Sequence, residues 1–500
     1  MLPWRVARRH RSNRREVALI GSGHIGAARL ASLLGDVRSG RGPAYRELAA
    51  AVRVLVDDGR LPSGTRLPAE RALAAELSLS RVTVTHAYGE LRENGWADAR
   101  QGSGTWVRLP DGPLRADGAW VPGPVRGGVI DLTHAAPPAP QLMAELVRRA
   151  MDRLDAELAG HGYGPDGLLA LRERVADRFA ARGLPTDPDQ IVVTGGALHA
   201  IGTALGELAG PGDRVLVEHP TYPAVLDVID DAGARPVPVA LDRDPVQTAL
   251  PRAARQTAAR VAYLMADFQN PTGALLDDDA RARLVERLAR LDVVAIVDET
   301  FVDLDLRDGP PDGPRPVAAH APRGGDVVTV GGVSKIAWGG LRLGWIRAAR
   351  EPAARMRRRL ARAQISPPVL EQLIGIEVLD ALEDLRAERI GPLRAQRGRL
   401  VAEIAAEFPD WRVEVPDGGL MLWCDLGTEM STALCAVAPR HGLSLAPGPR
   451  FGPGRSFEDR LRLPFTHPEP VLAEAVRRLR RAVDDVGAGP VSEARAELVV

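Results

Sequence analysis

Between residues 190 and 330 the chain repeats one alternation. Short apolar runs, at Gln190 to Val193, Arg214 to Val217, Val261 to Met265, Val293 to Val297 and Val327 to Val330, are separated by longer segments of helical character. Strands apolar at consecutive positions must be covered on both faces, which predicts a mostly parallel sheet wrapped by helices, with ligands bound beyond the carboxyl ends of the strands. The residues that follow each run are therefore the ones to search for chemistry. A chain of 500 residues has room for further domains at roughly 100 to 200 residues each. Hydrophobic residues at 45% and charged residues at 26% exclude disordered and fibrous classes. No apolar run approaches the ~20 residues of a membrane helix, and the Arg-rich start lacks the apolar core of a signal peptide, so a soluble cytoplasmic protein is expected. Two cysteines, Cys424 and Cys435, cannot build a disulfide framework or a four-cysteine zinc site. They read as small core residues, and no metal site is expected.

Charge is balanced overall, at 65 basic and 65 acidic residues, but residues 1 to 108 hold 18 Arg against 10 acids and carry about +8. A basic end on an acidic body suggests one module for a polyanion and another for a different task. Of the 65 basic residues 64 are Arg, and Lys335 is the one lysine. Guanidinium stays protonated, whereas an amine can lose its proton and attack a carbonyl as a Schiff-base nucleophile. Lys335 is the candidate for covalent chemistry.

Residues 1 to 40 read as a basic N-terminal extension. Within it, Gly21-Ser22-Gly23-His24-Ile25-Gly26 matches a dinucleotide-binding glycine pattern without the strand and acidic partner that the motif needs. From Tyr45, apolar positions at helical spacing predict a helix ending before Gly59. A second helix follows Pro68 through Arg71 and Leu77, and a third has its core stripe at Val84, Ala87, Tyr88 and Leu91. Alternating segments around Gln101-Gly102-Ser103-Gly104 predict a hairpin. Three helices and a hairpin over residues 41 to 109 make a winged helix-turn-helix, whose recognition helix enters the major groove. Residues 110 to 130, rich in Gly and Pro, read as a linker. The large domain spans 131 to 485, and 486 to 500 form a tail.

Beyond the strands stand polar residues that packing does not require. Thr194-Gly195-Gly196-Ala197 opens a helix near Leu198, where backbone N–H groups face outward to an anion. Tyr222 can stack on a flat ring. Asn270, in Asp267-Phe268-Gln269-Asn270-Pro271-Thr272-Gly273, offers a donor to a phenolic oxygen. Asp298 ends an apolar strand, where a carboxylate is costly without a cationic partner, and Ser334-Lys335 is followed seven residues later by Arg342, suited to phosphate. An aldehyde for Lys335, a ring nitrogen for Asp298, a phenolate for Asn270 and a phosphate for Gly196, Ala197 and Arg342 compose pyridoxal 5′-phosphate.

Two resemblances follow. Gly59 to Arg71, Ser80-Arg81-Val82-Thr83-Val84 and Gly95-Trp96 resemble the GntR-type DNA-binding domain, which implies DNA contacts from Arg71, Arg81, Thr83, Thr85 and the wing around Gly102. Tyr163 to Leu168, Asn270-Pro271-Thr272-Gly273, Ser334-Lys335 and Arg462-Leu463-Pro464-Phe465 resemble fold-type I aminotransferases: a large α/β domain with a small C-terminal α+β subdomain. That resemblance implies cofactor contacts from Gly196, Ala197, Tyr222, Asn270, Asp298, Ser334, Lys335 and Arg342, and an effector carboxylate on Arg462. The combination resembles the MocR subgroup of bacterial regulators. It implies a head-to-tail homodimer, each DNA module resting on its partner, that binds operator DNA and senses pyridoxal phosphate or an amino compound through a Lys335 aldimine. Phe301 and Gly332 stand where aminotransferases usually have a tyrosine and a hydroxyl residue, so at most weak transamination is expected. The alternative is a genuine aminotransferase acting on amino acids.

Overall fold

The computed structural model describes residues 23–35, 43–57, 60–62, 64–100, 104–108, 128–241, 244–308, 313–322, 325–452 and 456–487. The N-terminal module consists of α1 (Ala27–Leu34), α2 (Ala44–Asp57), α3 (Glu70–Glu76), α4 (Arg81–Glu93) and the antiparallel pair β1 (Ala97–Arg100) and β2 (Gly104–Val107). Leu48, Val52 and Leu55 of α2, Leu73 of α3, and Val84, Tyr88 and Leu91 of α4 meet in one core. Ser80 caps α4 by accepting from the Thr83 N–H at 3.0 Å, which satisfies one of the helix's otherwise orphaned donors.

Residues up to 40 were expected to be an extension, yet α1 buries Leu30, Leu33 and Leu34 in this same core. The glycine pattern also finds its use, since Gly26 is the N-cap of α1 and His24 bridges to Arg66.

The large domain carries β3 (Ile130–Asp131), α5 (Met143–Leu158), α6 (Leu169–Ala181), β4 (Ile191–Thr194), α7 (Ala197–Leu208), β5 (Arg214–His219), α8 (Pro223–Asp231) and β6 (Arg235–Ala240). It continues through α9 (Val246–Thr257), β7 (Val261–Leu264), α10 (Asp278–Ala289), β8 (Val294–Asp298), β9 (Val327–Gly332) and β10 (Gly344–Arg347). Seven strands form one sheet in the order β4-β10-β9-β8-β7-β5-β6, parallel except for β10. Two strands escaped the sequence reading. β6 contains Pro236 and Pro238, tolerated because it lies at the sheet edge, and β10 begins in the glycine-rich stretch after Lys335.

The chain then forms α11 (Arg350–Gln364), α12 (Val369–Asp380), α13 (Leu382–Glu407), β11 (Arg412–Val413), β12 (Met421–Asp425), α14 (Ser431–Val437), β13 (Leu443–Ser444), β14 (Ala446–Pro447), β15 (Arg460–Pro464) and α15 (Glu469–Gly487). A four-stranded sheet, β11-β12-β15-β14, makes the small subdomain, packed by α13, α14 and α15. The parallel pairing of β3 with β13 ties the start of the large domain to this subdomain. Helix α2 of the N-terminal module packs on α14 of the same chain, which corrects the expectation that each module rests on its partner.

Candidate cofactor site and DNA-reading face

The ends of β4, β5, β7, β8 and β9 converge on one cleft. After β4, Gly196 takes φ +99°, a conformation that glycine adopts without steric cost, and turns the chain into α7. The Gly195 N–H is already donated to His199 Nδ1 at 3.1 Å. Arg342, itself left-handed at φ +50°, donates to the Gly195 carbonyl at 3.2 Å. A Cβ on Gly196 would stand 2.8 Å from the Arg342 guanidinium. Guanidinium and helix N-terminus thus form a cradle for a phosphate, with the positive end of the α7 dipole behind it.

Asp298, at the end of β8, is buried. Its Oδ1 accepts from the Thr300 N–H at 2.8 Å and from the Thr300 hydroxyl, and its Oδ2 accepts from Tyr263 Oη at 2.9 Å. Burial still raises its pKa, although these donors and the Lys335 charge oppose the shift. A protonated ring nitrogen would favour the ionised form. Lys335 lies just beyond β9, and its Nζ donates to the Ala135 carbonyl at 2.9 Å and stands 5.7 Å from the Phe301 ring centre. Burial, reinforced by Arg462, pushes its amine down to about 8, and Asp298 partly offsets that shift. Ser334 is half-buried beside it. Tyr222 sits at the mouth of α8, where burial raises its phenol. Asn270 is buried, and its Nδ2 would be the donor to a phenolic oxygen.

Arg462, on β15, is 4% exposed. It donates to the Thr133 carbonyl and stacks 5.1 Å over the Phe451 ring. Burial and the adjacent Arg450 push its pKa down to about 10, so it is cationic at neutral pH.

Sequence reasoning missed several participants. Tyr263 reads as core, although a phenol inside a fully apolar strand signals a polar partner. The carbonyls of Thr133 and Ala135, which receive Arg462 and Lys335, are backbone groups with no sequence signature. Glu218, at the end of β5, is buried and pushed up to about 8, although the Met265 N–H and Gln269 donate to it. Asp267 proves structural: it is paired at 2.5 Å with Arg281, both nearly inaccessible. Gly332 has a steric reason, because a Cβ there would lie 2.8 Å from the Leu343 carbonyl oxygen of the strand connection.

On the candidate DNA-reading face, Arg71 is exposed and the Arg81 side chain is 72% exposed. Thr83 Oγ1 pairs with Ser80 Oγ at 2.7 Å. Thr85 Oγ1 donates inward to Glu70 at 2.7 Å, and the same carboxylate lies 3.7 Å from Arg81. Gly102 lies outside the described residues.

Comparison with known proteins matches residues 128–479 to the model "Aminotransferase class I and II". The chain belongs to this family. Residues 44–107 match the model of gntR-family bacterial regulatory proteins, so this aminotransferase domain follows a GntR DNA-binding domain. The chain is 27% identical over 439 residues to the uncharacterized HTH-type transcriptional regulator YdcR of Escherichia coli, covering 83% of this chain and 93% of that protein. It is 32% identical to arginine–pyruvate transaminase AruH of Pseudomonas aeruginosa, covering 71% of this chain and 90% of that one. The crystal structure of LysN, α-aminoadipate aminotransferase from Thermus thermophilus, superposes with a TM-score of 0.65 at 25% identity, over 72% of this chain and 94% of that one. The cofactor of the family, pyridoxal 5′-phosphate, fits the residues of this aminotransferase domain: an anion cradle, a buried amide, a buried carboxylate and one amine share the cleft. Among the described residues no helix is long and apolar enough to cross a membrane, and no cluster of three metal-ligating side chains occurs.

Proposed function

We propose that the chain is a transcriptional regulator that binds operator DNA through its winged helix and senses pyridoxal phosphate, or an amino compound reacting with it, through its aminotransferase domain. The observation that carries this reading is a cofactor cleft and a DNA module in one chain, with α2 of the module packed on the small subdomain that supplies Arg462. A regulator-named relative matched along 93% of its length supports it.

Arg342 and the start of α7 would hold the phosphate, Asp298 the ring nitrogen, Asn270 the phenolic oxygen, and Tyr222 one ring face. Bound there, the cofactor supplies an aldehyde for amines. Lys335 is held by the Ala135 carbonyl and dehydrated, so it can lose a proton near neutral pH. Arg462 receives an effector carboxylate by exchanging the neutral Thr133 carbonyl for a charged acceptor, the stronger hydrogen bond. A head-to-tail homodimer presenting two modules to paired half-sites belongs to this proposal. The exposed Tyr163, Leu169 and Trp338 support a second copy covering this domain, and a cytoplasmic location follows from the task.

The similarity to AruH favours a second reading, a working aminotransferase. Phe301 leaves no hydroxyl at its position, and Gly332 leaves no room for one, which argues for slow turnover. The test is a titration of the full chain with duplexes from its own upstream region and a scrambled control at several salt concentrations. Sequence-selective binding is expected, with Arg81→Ala reducing the salt slope by about one. Binding no better than the scrambled control, together with steady transamination of amino acids, would establish the second reading instead.

A further inference from the structure

The contact between the DNA module and the small subdomain leads directly to Arg462. Arg60, just after α2, has a side chain only 10% exposed. It donates to Thr432 Oγ1 at 3.2 Å and stands 3.9 Å from Glu458 Oε1. Glu458 is itself buried and holds the start of α14: its carboxylate accepts from the Thr432 N–H at 3.0 Å and the Thr432 hydroxyl at 2.8 Å, and its carbonyl accepts from the N–H groups of Met430 and Ser431. The guanidinium therefore docks on the anchor of a helix and not on a solvated surface charge.

From that anchor two short paths reach the effector arginine. Along the chain, Glu458 precedes Arg462 by four residues, at the entry to β15. Through space, Ser431 Oγ accepts from the Gly448 N–H at 2.9 Å, and Gly448 opens the turn whose Phe451 ring underlies Arg462. The Phe451 carbonyl accepts from the Thr221 N–H at 3.0 Å, next to Tyr222, and the Phe457 ring lies 4.5 Å from His219. Packing here leaves no slack, since a Cβ on Gly448 would fall 2.1 Å from the Phe457 carbonyl. Close-packed interiors transmit displacement where looser ones absorb it.

We propose that Arg60, seated on Glu458 and Thr432, is the positioning residue that couples occupancy of the cofactor cleft, beside Tyr222 and Arg462, to the placement of the DNA module. The docking follows from the contacts alone; the coupling rests on the regulator reading above.

The test compares the full-length wild type with Arg60→Ala and Arg60→Lys, using pyridoxal phosphate as the probe. Amide hydrogen exchange over residues 431–437 without ligand reads the docking, and exchange there should speed up in Arg60→Ala, with Arg60→Lys between it and wild type. DNA anisotropy with and without pyridoxal phosphate reads the coupling. A cofactor-linked change of at least about five-fold in wild type should fall below about two-fold in Arg60→Ala, with cofactor-free affinity and visible absorption retained. Unchanged exchange in Arg60→Ala would overturn the docking, and an undiminished cofactor effect in that variant would overturn the coupling. A wild type whose DNA affinity ignores the cofactor would overturn the sensing of pyridoxal phosphate and the coupling with it, while selective DNA binding still decides the regulator reading and the exchange measurement the docking.

Discussion

Loss of water at the cleft acts on Lys335 and Asp298 in opposite directions, lowering the pKa of the amine and raising that of the carboxyl. A bound pyridinium would relieve the second, and deprotonation relieves the first. Attachment of pyridoxal phosphate, followed by its visible absorption, should therefore accelerate as pH rises through about 8 because the neutral amine is the nucleophile. A rate that rises only in the range of an ordinary exposed lysine would contradict the burial argument. Lys335→Ala should lose the visible band while keeping the circular dichroism of the folded chain, and a band that survives dialysis would mean that another amine holds the cofactor. Lys335 was legible because arginine replaces lysine everywhere else, and Asp298 and Asn270 because each interrupts or follows an apolar strand. Tyr263 was not, because its ring satisfies the same packing demands as a leucine, and the accepting carbonyls of Thr133 and Ala135 exist only once the chain returns over the site.

Among the elements, legibility followed burial on both faces. The apolar runs of β5, β7, β8 and β9 were readable as strands because they are sheathed by helices, whereas β6 carries prolines at a sheet edge and β10 starts among glycines. Helix α1 was hidden for a different reason: it is two turns long, lies beside a glycine pattern that invites another reading, and is stabilised by tertiary contacts more than by propensity. Its membership in the DNA module predicts that Leu33→Ala, at a 4% exposed position, destabilises the module by roughly 2–5 kcal/mol. Thermal unfolding monitored by tryptophan fluorescence would report this as an earlier module transition. An unchanged transition would place α1 outside the cooperative unit. On α4, Thr85 donates to Glu70, so under the proposed function Arg71 and Arg81 are the better candidates for phosphate contacts and Thr85 orients the helix.

At the scale of the whole molecule, two domains that each resemble a separate protein are joined where α2 meets α14, and β15, which carries Arg462, enters from that same anchor. A ligand shifts DNA affinity only by the difference in its affinity for the two states of the molecule, so coupling requires that the cleft and the module move as mechanically linked parts. The charge division between an Arg-rich N-terminal segment and an acidic remainder suits this separation of tasks, polyanion on one side and small amine on the other. The most direct test is fluorescence anisotropy of the intact protein on its own upstream duplex and on a scrambled control, each with and without pyridoxal phosphate. Sequence-selective binding whose affinity changes at least about five-fold with the cofactor is the predicted result. Selective binding that is indifferent to the cofactor would contradict the account.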